Sequence, residues 1–213
     1  MNIRFLLISI LFIGQTSISF GQIKIGVKAN PVISYARPVF NSVDATASRD
    51  KSALKIQPGI IVDYGLSENY YFSSGISFIS KKTAVTVMGD VLGTFSEVHD
   101  VQYIQLPVTM KLFTNEISLD KRIYFQLGPS FDIKVHDTLG QLGSDLIEQF
   151  NFMDISIHVA AGLEMTMGSS TVVYGGIVFN KGMMNQTNKT NPLLNDNLVI
   201  KSDFIGLDIG VKF

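Results

Sequence analysis

The chain of 213 residues contains no cysteine, which excludes both a disulfide framework and a lipid-modified N-terminal cysteine. It holds only three histidines, His99, His136 and His158, and none has the ligand spacing of a zinc site. Past the N-terminus, no apolar run approaches the roughly 20 residues that a membrane helix needs. Neither sign of charge dominates, with 17 Lys and Arg against 18 Asp and Glu. That balance offers no basic footprint for a nucleic acid.

What is present begins with "MNIRFLLISILFIGQTSISFGQ". Arg4 precedes an apolar core from Phe5 to Ile13, followed by the small-residue stretch Ser19-Phe20-Gly21. This pattern predicts a cleaved secretory signal peptide over 1–21. The remaining 22–213 is the length of one domain.

The segment "MDISIHVAAGLEMTM" (153–167) shows what that domain is made of. Met153, Ile155, Ile157, Val159, Ala161, Leu163, Met165 and Met167 form one set. Asp154, Ser156, His158, Ala160, Gly162, Glu164 and Thr166 form the other. Successive side chains of a strand face opposite ways, so the segment has one apolar face and one polar or small one. At a helical period the same charges scatter around the axis. Comparable alternation predicts eight strands near 23–36, 53–66, 69–82, 101–113, 121–135, 152–167, 170–183 and 199–213. The seventh, "TVVYGGIVFNKG", is ambiguous in parity. Pro58, Pro107 and Pro129 fall inside these runs and predict bulges.

Connections near 67–68, 114–120 and 168–169 are short, whereas those near 37–52, 83–100, 136–151 and 184–198 are long and polar. Even strand number with alternating short and long connections predicts an all-β, eight-stranded antiparallel up-and-down transmembrane barrel, with both termini in the periplasm. A secreted soluble barrel of lipocalin type, or a sandwich, is the alternative. In the membrane reading the apolar face meets lipid, and the polar face fills a lumen too narrow for a wide pore.

The inward set carries both signs, and buried charges must be paired. Folding the strands back on one another predicts Lys134 beside Asp154, Arg122 beside Glu164 and Lys28 beside Asp208, with His158 in the same lumen network. Phe213, a terminal aromatic after alternating apolar residues, resembles the signal read by outer-membrane assembly machinery. Lipid and that machinery are the expected partners, and no cofactor or metal is expected.

"VQYIQLPVTMKLF" (101–113), "YFQLGPSFDIKV" (124–135), "DISIHVAAGLEMTMG" (154–168), "YGGIVFNKGMMN" (174–185) and "FIGLDIGVKF" (204–213) together resemble the PorT-like outer-membrane barrels of Bacteroidetes. The resemblance spans nearly the whole mature chain. It implies a non-enzymatic barrel in a Gram-negative outer membrane, engaged in surface-protein export by type IX secretion or in envelope contacts through its four long loops. Secretion-apparatus proteins are the partners it implies.

Sharper chemistries find less support. His99-Asp100 and His136-Asp137 sit at rim positions where a surface enzyme or ligand binder would place its acid–base groups. Adjacent strand residues point opposite ways, so neither dipeptide is itself a dyad. "MGDVLG" and "LGQLGS" lack the helix that a phosphate-binding glycine loop requires.

Overall fold

The computed structural model describes residues 23–40, 45–49, 53–89, 93–138, 147–190 and 198–213. The expected signal peptide, 1–21, lies outside them. In chain order the strands are β1 (Ile23–Phe40), β2 (Ala45–Arg49), β3 (Ala53–Gly65), β4 (Tyr70–Gly89), β5 (Gly93–Phe113) and β6 (Lys121–Thr138). They continue with β7 (Ile147–Phe150), β8 (Met153–Met167), β9 (Thr171–Gly182), β10 (Thr187–Thr190) and β11 (Leu198–Lys212). Among the described residues no helix occurs.

Eight of these form a closed wall. β1 pairs with β3, β3 with β4, β4 with β5, β5 with β6, β6 with β8, β8 with β9, β9 with β11, and β11 returns to β1. All of the pairings are antiparallel. Following the register around the ring leads from Arg122 through Glu164, Tyr174, Gly210, Lys28, Gly59, Ser77 and Gln105 to Asp132. The path returns to β6 ten residues beyond its start. That stagger obliges the strands to tilt. Side chains at one height in the lumen therefore come from positions that are not register partners.

The alternation in sequence becomes an inside and an outside. Along β8, Asp154, Ser156, His158, Ala160 and Glu164 are buried, while Met153, Ile157, Val159, Leu163 and Met167 are exposed. The same inversion places Ile104, Val108, Met110, Phe125, Leu127, Ile205, Leu207 and Ile209 outside. A water-soluble barrel or sandwich buries its apolar face. This wall presents that face outward and so sets the soluble alternative aside. In β9 the even positions face inward, Val172 and Val178 included, and the exposed Gly175 is an outward one. Apolar residues inside and a glycine outside are why its parity could not be read from sequence.

One end of the wall carries the short connections 66–69, 114–120 and 168–170, where Gly168 takes φ 71° and Asp120 φ 60°. The other end departs from the expected long loops. Much of 83–100 is strand, because β4 and β5 continue as one hairpin down to the pair Gly89↔Gly93. β2 lies within the expected 37–52 connection and pairs with the far end of β4. β7 and β10, from two other connections, pair with each other. The expected proline bulges are not found. The register runs unshifted through Ala29↔Pro58, Pro107↔Ser130 and Pro129↔Ile157, and shifts instead between Gln102 and Tyr103.

Candidate functional site in the barrel lumen

Two layers of buried ion pairs cross the lumen. The layer nearer the short turns is built by four strands. Lys111 from β5 lies 3.1 Å from Asp63 of β3 and 3.4 Å from Glu164 of β8. Lys212 from β11 lies 2.7 Å from the same Asp63 oxygen and also pairs with Glu164. Two cations thus alternate with two anions in a neutral ring, and all four side chains are at most 3% exposed. The Ser73 hydroxyl donates to the other Asp63 oxygen at 2.5 Å. The Lys111 ammonium also lies 4.8 Å from the Tyr124 ring centre and 5.4 Å from that of Tyr174. Taking four charges out of water is costly unless each is answered. Here each one is.

Glycines make room for the two tyrosines. Gly162 and Gly176 face each other across β8 and β9. A Cβ on Gly162 would stand 2.7 Å from Tyr124 Cε1, and one on Gly176 would stand 2.7 Å from Tyr124 Oη. The Tyr124 hydroxyl donates to Asp208 at 2.8 Å, and Asn30 Nδ2 donates to the same carboxylate at 3.0 Å. Asn30 also mends the seam between the first and last strands. The β1–β11 register skips from Lys28↔Gly210 to Val32↔Gly206 around Pro31, and there Ile209 N donates to Asn30 Oδ1 at 2.9 Å.

The second layer is nearer the long connections. Asp132 and Asp154 are register partners, so two acids stand directly opposite. Such a pair is destabilising unless a cation lies between. Lys81 from β4 supplies it, at 2.6 Å from Asp132 and 3.2 Å from Asp154. Gln105 Nε2 donates to Asp132 at 2.8 Å, and Gln105 Oε1 accepts from Gln57 Nε2 at 2.6 Å. Beside this layer, toward the long connections, Val101, Phe150 and Ile200 are buried. The paired β7 and β10 are tied down there: Lys134 donates to Phe150 O at 3.0 Å, and Gln186 Nε2 to Asp154 at 3.3 Å.

The predicted charge pairs are re-sorted. Arg122 and Glu164 are register partners, but Glu164 turns to Lys111 and Lys212. Arg122 stacks over Phe113 at 4.4 Å and donates to Glu68 O at 3.4 Å. Lys134 does not reach Asp154, because the β6–β8 register sums to 286 and places Asp132 there. It pairs with Asp137 at 2.7 Å instead. Lys28 faces Gly210 rather than Asp208, whose carboxylate is held by Asn30 and Tyr124. His158 is buried opposite Asn180, with Nδ1 unpartnered. Phe213 is exposed outside the wall, with its backbone bonded both ways to Ile25. Sequence reasoning missed Lys81 altogether. The signal was its parity with Ser73, Ser77 and Ile79 on β4.

Of the rim histidines, His99 is buried edge-on against Phe150 at 5.4 Å and His136 is exposed. Among the described residues no three His, Asp or Glu side chains gather as a metal site.

Residues 14–139, more than half of the chain, match the family described as outer membrane protein beta-barrel domain. The chain belongs to that family. The outer-membrane barrel also resembles the crystal structure of Neisserial surface protein A, with 13% identity, a TM-score of 0.52, and coverage of 90% of this chain and 96% of that one. The likeness is one of fold. AlkL in lipid bilayers follows at 14% identity and a TM-score of 0.47, covering 90% of each chain. Ail of Yersinia pestis follows at 11% and 0.38, covering 88% of this chain and 97% of that one. No curated protein matches this outer-membrane barrel.

Proposed function

We propose that this barrel is a non-enzymatic component of the outer membrane that works through the surfaces at its two ends, not by passing solute through its lumen. The observation that carries this reading is the pair of ion layers. A conduit would have to part Lys111 and Lys212 from Asp63 and Glu164, and Lys81 from Asp132 and Asp154, leaving buried charges unanswered. The resemblance of its strand motifs to PorT-like barrels supports surface-protein export as the process served. Secretion-apparatus proteins are then the partners, with the long-connection end facing outward. Phe213 serves the assembly machinery in the same reading. The test has two arms. Purified barrel in a planar bilayer is expected to show no steady conductance, and tagged barrel in mild detergent to co-purify with secretion components. Steady ion conductance would overturn the closed-lumen reading, and clean isolation without partners would overturn the export reading.

A further inference from the structure

On the outer wall, three neighbouring strands change character at adjacent register positions. Going toward the long-connection end, the outward side chains of β1 run Ile33, Tyr35, Arg37. Those of β11 run Ile205, Asp203, Lys201, and those of β9 run Ile177, Phe179, Lys181. The unbroken apolar sets of these strands give way to charge there, as they do where hydrocarbon meets head groups.

The register puts like charges together. Arg37 is the direct partner of Lys201, and Asp203 is the direct partner of Lys181. Opposed like charges across a strand pair are destabilising, and three cations share one acid. That acid is already engaged. Asp203 accepts from Gly182 N at 3.0 Å and from Arg37 at 3.4 Å, while Arg37 also donates to Gly182 O at 3.0 Å. Arg37 Nε has no acceptor. The side chains of Lys181 and Lys201 make no hydrogen bond or ion pair among the described residues. Cationic donors therefore exceed acceptors on a lipid-facing wall, just above the apolar band.

We propose that Arg37, Lys181 and Lys201 form a binding site for the phosphate of a lipid head group. Charge complementarity selects the occupant. A phosphate offers several acceptor oxygens and up to two negative charges, and Arg and Lys are the usual groups that hold it. The acyl chains of the same molecule would lie along Ile33, Ile205 and Ile177, all exposed below the cations. A free anion gains nothing from that apolar surface, so the site favours a lipid over inorganic phosphate.

The test uses the full chain folded in zwitterionic detergent, with a bisphosphorylated glucosamine lipid as probe and native mass spectrometry as readout. Wild-type barrel is expected to retain the lipid through delipidating washes, and inorganic phosphate at the same concentration is expected not to displace it. Lys181→Gln with Lys201→Gln is expected to weaken retention roughly tenfold or more, since each cation near a lipid surface counts for a large factor. The dephosphorylated form of the same lipid should be lost from wild-type barrel, an arm that needs no variant to fold. Equal retention of the two lipid forms, equal retention by the folded double variant, or displacement by inorganic phosphate would overturn the proposal.

Discussion

Glu164 is held by two lysines, and its replacement separates this arrangement from the register pair that the sequence offered. Glu164→Gln leaves Lys111 and Lys212 sharing Asp63 alone, so the barrel is expected to lose about 3–5 kcal/mol, the usual cost of breaking a buried pair from one side. Adding Lys212→Met is expected to recover part of that loss, and adding Arg122→Gln is expected to recover none. Urea unfolding in detergent micelles, followed by the gel mobility of folded and unfolded barrel, measures both. Two adjacent glycines give a second contrast. A Cβ added to Gly175 would point outward with nothing within 4 Å, whereas one added to Gly176 would run into Ala161 O. Gly175→Ala is expected to fold as wild type. Gly176→Ala crowds Tyr124 away from Asp208 and is expected to cost about 1–3 kcal/mol, as overpacking does, in the same unfolding assay.

Along an element, the face of the strand decides the effect of a substitution. Leu163→Arg on β8 places a cation in hydrocarbon, at an expected cost of about 2–4 kcal/mol near the midplane. Ala160→Ser, inward on the same strand, is expected to be close to neutral. Comparing the folded fraction of the two after insertion into lipid vesicles checks the assignment, and equal defects would contradict it. The facing of β5, β6, β8 and β11 was legible in sequence because their apolar sets are unbroken at period two. The true strand ends were not, because β4 and β5 run on as paired backbone to Gly89↔Gly93, and backbone pairing leaves no mark in an apolar period. The charge partners were illegible for a different reason. Period and turn length give register between neighbours, but Lys81 meets Asp132 and Asp154 across the lumen, and only the ten-residue stagger of the closed ring brings them level. Pro31 hides another such detail. Where the β1–β11 register is interrupted beside it, Asn30 Oδ1 accepts from Ile209 N, so Asn30→Leu is expected to cost about 1–3 kcal/mol by stranding Ile209 N and unseating Asp208, measured by the same urea midpoint.

As a whole molecule, the inverted distribution of apolar side chains requires that the protein stay in membranes washed with carbonate or high salt. It should also migrate as a compact, heat-modifiable band, as expected for a closed wall without free edges. Release by carbonate, or one mobility with and without boiling, would contradict the membrane wall. Closure itself imposes an order of events. β1 and β11 lie far apart in the sequence, and Phe213 locks onto Ile25 with two backbone hydrogen bonds. Lys212, beside Phe213, brings the second positive charge to a ring that otherwise sets Lys111 against Asp63 and Glu164. Until the closing strand docks, that ring sets two acids against a single lysine. That strand thus acts as an electrostatic latch, and a chain cut short before Lys212 has both its hook and its neutralising charge removed at once.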